Sequence, residues 1–152
     1  MKLFFSAKAQ NQKNVYGQEL EVCSMDPVTG WFRDGYCNTN EYDIGIHTVC
    51  GTMTEEFLEY TKNQGKPFLS PRKLISRKIK KFANFSGNDL STPRGSFPGL
   101  KPGNRWALCA PRWLEAYRAG KAPLVRLNAT NIKSLQVIRL TELEEYDDKF
   151  FL

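Results

Sequence analysis

The sequence predicts an α+β fold: a single compact domain of mixed strands and short helices, with a basic insertion at about residues 66–86. Three observations lead there. The chain has 152 residues, the size of one ordinary domain, and 41% of them are hydrophobic, enough for a core. Short β-branched, apolar runs alternate with stretches that carry helix start and stop signals. The positive excess is confined to one place. Of 22 Lys and Arg, seven (Lys66, Arg72, Lys73, Arg77, Lys78, Lys80 and Lys81) lie in the insertion, which holds no acid; 15 remain against 16 acidic residues elsewhere. Polyanion binding is therefore a property of that segment alone, and no specific nucleic-acid partner is expected of the rest.

The elements follow in order. The start, "MKLFFSAKAQNQKN", has an apolar patch only from Leu3 to Phe5. A secretory core needs about 7–15 apolar residues, so residues 1–13 read as a flexible N-terminus of a cytoplasmic chain. No apolar run approaches the roughly 20 residues that span a bilayer, and no membrane partner is expected. "NVYGQELEVC" reads as extended, "DPVTGWFRDG" as turns, and "CNTNEYDIG" as a polar loop. "IHTVCGTM" reads as a buried strand. In "TEEFLEYTKNQG", Thr54 can cap the first turn, Glu55 and Glu56 suit the positive end of the dipole, Phe57, Leu58 and Thr61 make an inward face, and Gly65 is a stop.

After residue 87, "GNDLSTPRGSFPGLKPGN" is a Gly/Pro-rich loop. "RWALCA" reads as a strand and "PRWLEAYRAG" as a helix, with Pro111 early and Gly120 past its end. "APLVRLNAT" reads as a strand, "NIKSLQ" as a short helix and "VIRL" as a last strand. "TELEEYDD" reads as a closing helix, with Thr141 and Glu144 spaced as a capping box.

Four cysteines, Cys23, Cys37, Cys50 and Cys109, fall in separate elements with no C-x-x-C pair. They are too sparse for a disulfide scaffold and read as small buried hydrophobes; no metal and no cofactor are expected. His47 is the only histidine. On a regular strand it shares a face with Val49, opposite Thr48 and Cys50; a bulge would change that. It could activate a cysteine from another segment, Cys37 or Cys109, as the base beside a nucleophile. Alternatively, it organises the neighbouring loop by backbone hydrogen bonds. Cys37, His47 and Cys109 are thus the catalytic candidates. Cys109 directly precedes a helix whose positive end could stabilise a thiolate.

Ligand contacts are expected from the polar loops: Arg33 and Asp34, then Asn88, Asp89, Ser91, Thr92 and Arg94, with Trp106 beside them. Such residues also satisfy their own turns. No P-loop, dinucleotide-binding glycine pattern, G-x-S-x-G or H-E-x-x-H is present, which removes the easily recognised enzyme classes.

"DPVTGWFRDGYCNT", "DIGIHTVCGTMTEEFLEYTK", "GNDLSTP" and "FPGLKPGNRWALCAPRW" together resemble the uncharacterised, mainly bacterial family called domain of unknown function 2237, from about Asn14 to about Tyr146. The resemblance implies a small α+β domain without an established activity. Cys23, Arg33, Asp34, Cys37, His47, Cys50, Asn88, Asp89, Ser91, Thr92, Pro93, Trp106 and Cys109 fall on its motifs. Tyr36, Ala107 and Asn131 depart from it, where family members often carry two further cysteines and a histidine; each departure removes a soft metal ligand. Fusing Gly65 with Gly87 restores the family pattern as "NQGNDLSTP". Residues 66–86 therefore read as an intron translated in frame. The alternative is a genuine basic insertion, an amphipathic helix on Leu74, Ile75, Ile79 and Phe82.

The function expected first is that of a small-ligand-binding domain or unrecognised enzyme with a polar Cys/His loop site and a small molecule as partner. A structural or regulatory module with core cysteines comes second, and polyanion binding through residues 66–86 third.

Overall fold

The computed structural model describes residues 12–64 and 89–151. The expectations for residues 1–11, for the basic insertion with its polyanion binding, and for Asn88 lie outside these residues.

Three antiparallel strands form the sheet in the order β2-β1-β3. β1 is His47–Thr52, β2 is Arg105–Cys109 and β3 is Leu124–Val125. Helix α1, Glu55–Gln64, follows β1; α2, Ala110–Arg118, follows β2 directly; the short α3, Leu140–Glu144, comes near the end. This is the expected α+β domain. β1 is central and reads as a buried apolar run for that reason: every residue from Thr48 to Thr52 is buried.

α1 forms where its local signals place it. Thr54 Oγ1 accepts the Phe57 N–H at 3.1 Å, and Phe57, Leu58 and Thr61 are the buried face. α2 buries Ala110, Trp113 and Ala116. The Trp113 indole N–H donates to the Pro123 carbonyl at 3.2 Å, so the largest core side chain leaves no donor unpaired. Trp113 also packs on Tyr117 and Tyr146. Val49, Trp106, Leu108, Val125, Ile138 and Leu143 complete the main core.

Several expectations are corrected. "NVYGQELEVC" is no strand; Asn14 folds it into turns, its Oδ1 accepting the Tyr16 and Gln18 N–H groups. "APLVRLNAT" is a strand only at Leu124–Val125, then a 3₁₀ turn over Leu127–Ala129. "VIRL" is not a strand: the Val137 and Ile138 N–H groups both donate to Ser134 O, closing the preceding turn. α3 starts one residue earlier than expected, after Arg139, and its N-cap side chain makes no capping bond; the capping box over Thr141 and Glu144 is therefore absent. Finally, Cys23 and Cys50 are not merely buried but form a disulfide across 27 residues of chain.

Candidate active site

β1 and β2 bring His47 and Cys109 face to face. The two are register partners, and the ladder is irregular between His47 and Val49. That irregularity breaks the alternation that would have put His47 on the face of Val49. The His47 imidazole contacts Cys109 Sγ through Nε2 at 3.2 Å and Asp43 Oδ1 through Nδ1 at 2.6 Å. The result is a sulfur–imidazole–carboxylate line.

Asp43 comes from the loop "CNTNEYDIG", four residues before His47. Its side chain is fully buried. Its second oxygen accepts the His47 N–H at 2.9 Å and the Thr39 hydroxyl at 3.0 Å. A buried carboxylate needs such partners, and these fix its orientation. Protonated at both nitrogens, His47 donates to Asp43 and to the sulfur together. The imidazole is pushed up to about 9: the hydrogen bond with Cys109 contributes most, Asp43 adds to it, and burial opposes. Trp31 stacks on the ring at 5.8 Å between centroids.

The connection between Asp43 and His47 is tight. Ile46 has φ +50°, a conformation rare for a β-branched residue and costly by roughly 1–3 kcal/mol. It persists because its carbonyl is gripped: it accepts the Thr48 N–H and the Ala110 N–H, each at 2.8 Å, and the Thr48 hydroxyl at 3.3 Å. Gly45 passes against His47 and Cys109. A Cβ there would meet His47 Cε1 at 2.7 Å and Cys109 Sγ at 3.1 Å.

Cys109 is the last residue of β2 and the N-cap of α2, where helix-end amides and dipole favour an anion. The Ala110 N–H is already committed to Ile46, and Pro111 has none. Beside the sulfur lies a pocket of about 180 Å³. Phe57, Leu90, Trp106 and Leu108 give it an apolar wall, while Gln64 and Arg112 bring polar groups.

The other candidates fall as follows. Cys37 does not join His47. It is wholly buried with Cys23, Cys50, Ala107 and Ala129, and burial, helped by the Asp34 charge, pushes its thiol far up. Arg33 lays its guanidinium over Trp106, 5.1 Å from the ring centroid, and so backs the pocket wall. Asp34 accepts from the Tyr36 N–H and from Asn38 Nδ2. Asp89 accepts from the hydroxyls of Ser91 and Thr92, each at 2.7 Å. Burial pushes its carboxyl up, but those hydroxyls, the Ser91 N–H and the Arg94 charge together hold it below its usual value. Asp89, Ser91, Thr92 and Arg94 do not line the pocket; their neighbour Leu90 does. Asn131, a departure from the family motif, holds Cys37 O and Gln12 Oε1 through Nδ2.

Sequence reasoning missed Asp43. The only signal was an acid four residues before the lone histidine, in a loop where spacing carries no fixed geometry. Among the described residues, no helix is long and apolar enough to cross a membrane.

The molecule is thus a small α+β protein with a cysteine–histidine–carboxylate line at a strand-to-helix junction, opening on a small pocket. The chain belongs to the family described as an uncharacterised protein conserved in bacteria, domain of unknown function 2237, which it matches over residues 13–79 and 73–147. No curated protein matches the chain.

Proposed function

We propose that the protein is a thiol-dependent enzyme acting on a small acyl substrate, with Cys109 as nucleophile, His47 as acid and base, and Asp43 as the group that orients His47. The line from Cys109 Sγ through both His47 nitrogens to buried Asp43 is the observation that carries it. The Cys109 thiolate attacks the acyl carbon, forming a C–S bond. The leaving alcohol or amine departs with the proton from His47. His47 then deprotonates a water, which cleaves the thioester and restores the thiol. The amide following the sulfur is committed, so the developing oxyanion is met by side-chain donors of the pocket, Gln64 and Arg112.

A second reading, a module whose cysteines are only core, is favoured by the burial of Cys23, Cys37 and Cys50. It leaves the half-exposed Cys109 and its two partners without a purpose. A cytoplasmic setting would expose the Cys23–Cys50 bond to cellular reductants.

p-Nitrophenyl acetate tests the proposal. We expect a burst of one p-nitrophenolate per chain and an acetyl group on Cys109 by peptide mass spectrometry. Cys109→Ala abolishes both, and His47→Ala slows acylation by about 10²-fold or more. Equal acylation of wild type and Cys109→Ala would sink the idea.

A further inference from the structure

We infer that Cys23, Cys37 and Cys50, once the disulfide is reduced, form a binding site for a thiophilic divalent cation of the zinc class. The inference is independent of the acyl chemistry at Cys109. The three sulfurs, all buried, lie within 4.8 Å of one another. Tetrahedral zinc–thiolate bonds of about 2.3 Å set sulfurs about 3.8 Å apart. Cys37 therefore already stands near a ligand distance from both bonded partners, and only the Cys23 and Cys50 sulfurs must part.

The surroundings hold the three segments in place without the bond. Cys23 N–H donates to Gly35 O at 2.8 Å, tying the first cysteine to the turn before the second. The Asn131 side chain holds Cys37 O at 3.0 Å. Cys50 N–H donates to the Thr130 hydroxyl at 3.1 Å, and Cys50 lies in β1 opposite Ala107. A reduced core would thus keep three thiols converging on one point, with the small side chains of Ala107 and Ala129 beside them.

Charge selects the ion. Three thiolates around a divalent cation leave a net −1, and around a monovalent one −2, which is costlier in an apolar surrounding. The nearby Asp34 carboxylate, whose charge acts on Cys37, further favours a cation. The chemistry balances. An external dithiol gives two electrons and two protons to the Cys23–Cys50 bond and becomes a disulfide itself. Zinc then displaces the three thiol protons to solvent. The family departures at Tyr36, Ala107 and Asn131 leave all three of these cysteines in the sequence.

The test uses the full chain carrying Cys109→Ala, so that the half-exposed thiol contributes nothing. After reduction with a dithiol and its removal under nitrogen, Zn²⁺ is titrated against a chromophoric chelator, and Co²⁺ is followed by its thiolate charge-transfer absorption. We expect one equivalent of zinc per reduced chain and no thiolate–cobalt absorption from the oxidised chain. Cys37→Ser in the same background should weaken zinc binding by at least roughly tenfold. Equal affinity with and without Cys37, or no gain on reduction, overturns the site. Should reduction unfold the chain, recovery of the near-ultraviolet circular dichroism on adding zinc supports the site, and failure to recover overturns it.

Discussion

At the residue scale, the proton on His47 governs the site. An ordinary imidazole loses it near 6.5, whereas His47 holds it to about 9. A raised folded-state value has a definite sign. The bond's contribution to stability is fully present below about pH 6.5 and disappears as pH rises through about 9. Urea unfolding of the wild type and of His47→Gln should therefore differ most at pH 6 and converge by pH 10; a gap that widened with pH would contradict the assignment. If His47 is the acid of the proposed mechanism, acylation turnover should fall through the same upper limb. Asp43→Asn keeps the shape but removes the charge that anchors the imidazolium; alkylation of Cys109 by iodoacetamide at pH 7 should slow by about tenfold or more. Gly45→Ala tests the geometry separately. Its new methyl group would displace His47 and depress alkylation in the same way, while the core, which Gly45 does not enter, keeps the melting temperature close to that of the wild type.

At the element scale, legibility followed locality. Helix α1 was readable because Thr54, the two glutamates and the Phe57–Leu58–Thr61 face lie within one short stretch. Thr54→Ala should cost about 1 kcal/mol, or roughly 3 °C in the melting temperature of a domain this size. β1 and β2 were readable from their apolar runs, and α2 from Pro111 and Gly120. "VIRL" was misread because Ile138 is as buried as any strand residue, and its backbone partners at Ser134 are invisible in a hydropathy pattern. The candidate site was half readable. His47 and Cys109 stood out by residue type and by the helix that follows Cys109. Asp43 did not, since its place depends on how a loop returns to its own strand. Nor did the partnership of Cys23 with Cys50, which only the assembled fold creates.

At the scale of the molecule, the Cys23–Cys50 bond ties the N-terminal turns to the central strand. A loop of that length contributes about 3.5 kcal/mol by chain entropy. Cys23→Ala with Cys50→Ala should lower the denaturant midpoint accordingly, and an unchanged midpoint would show that neighbouring hydrogen bonds alone fix the two segments. The N-terminal turns have other ties: Gln12 exchanges hydrogen bonds with the Thr39 backbone, its Nε2 donating to the carbonyl and its Oε1 accepting the N–H.

The pocket wall contains Gln64 and Leu90, and the Leu90 N–H donates to the Thr61 hydroxyl at 3.2 Å. The chain thus leaves the described fold and re-enters it at the rim of the cavity that holds Cys109. By sequence, seven lysines and arginines lie in the segment between Gln64 and Leu90. A tethered cationic run raises the local concentration of anions, an effect on arrival rather than on chemistry. Deleting residues 66–86 together with Gly87 should leave the melting temperature equal or higher and abolish any affinity for polyanions. It should also slow acylation by negatively charged esters at low salt, while neutral esters react as before. The difference should fade as ionic strength rises past about 0.15 M, where the screening length falls to about 8 Å.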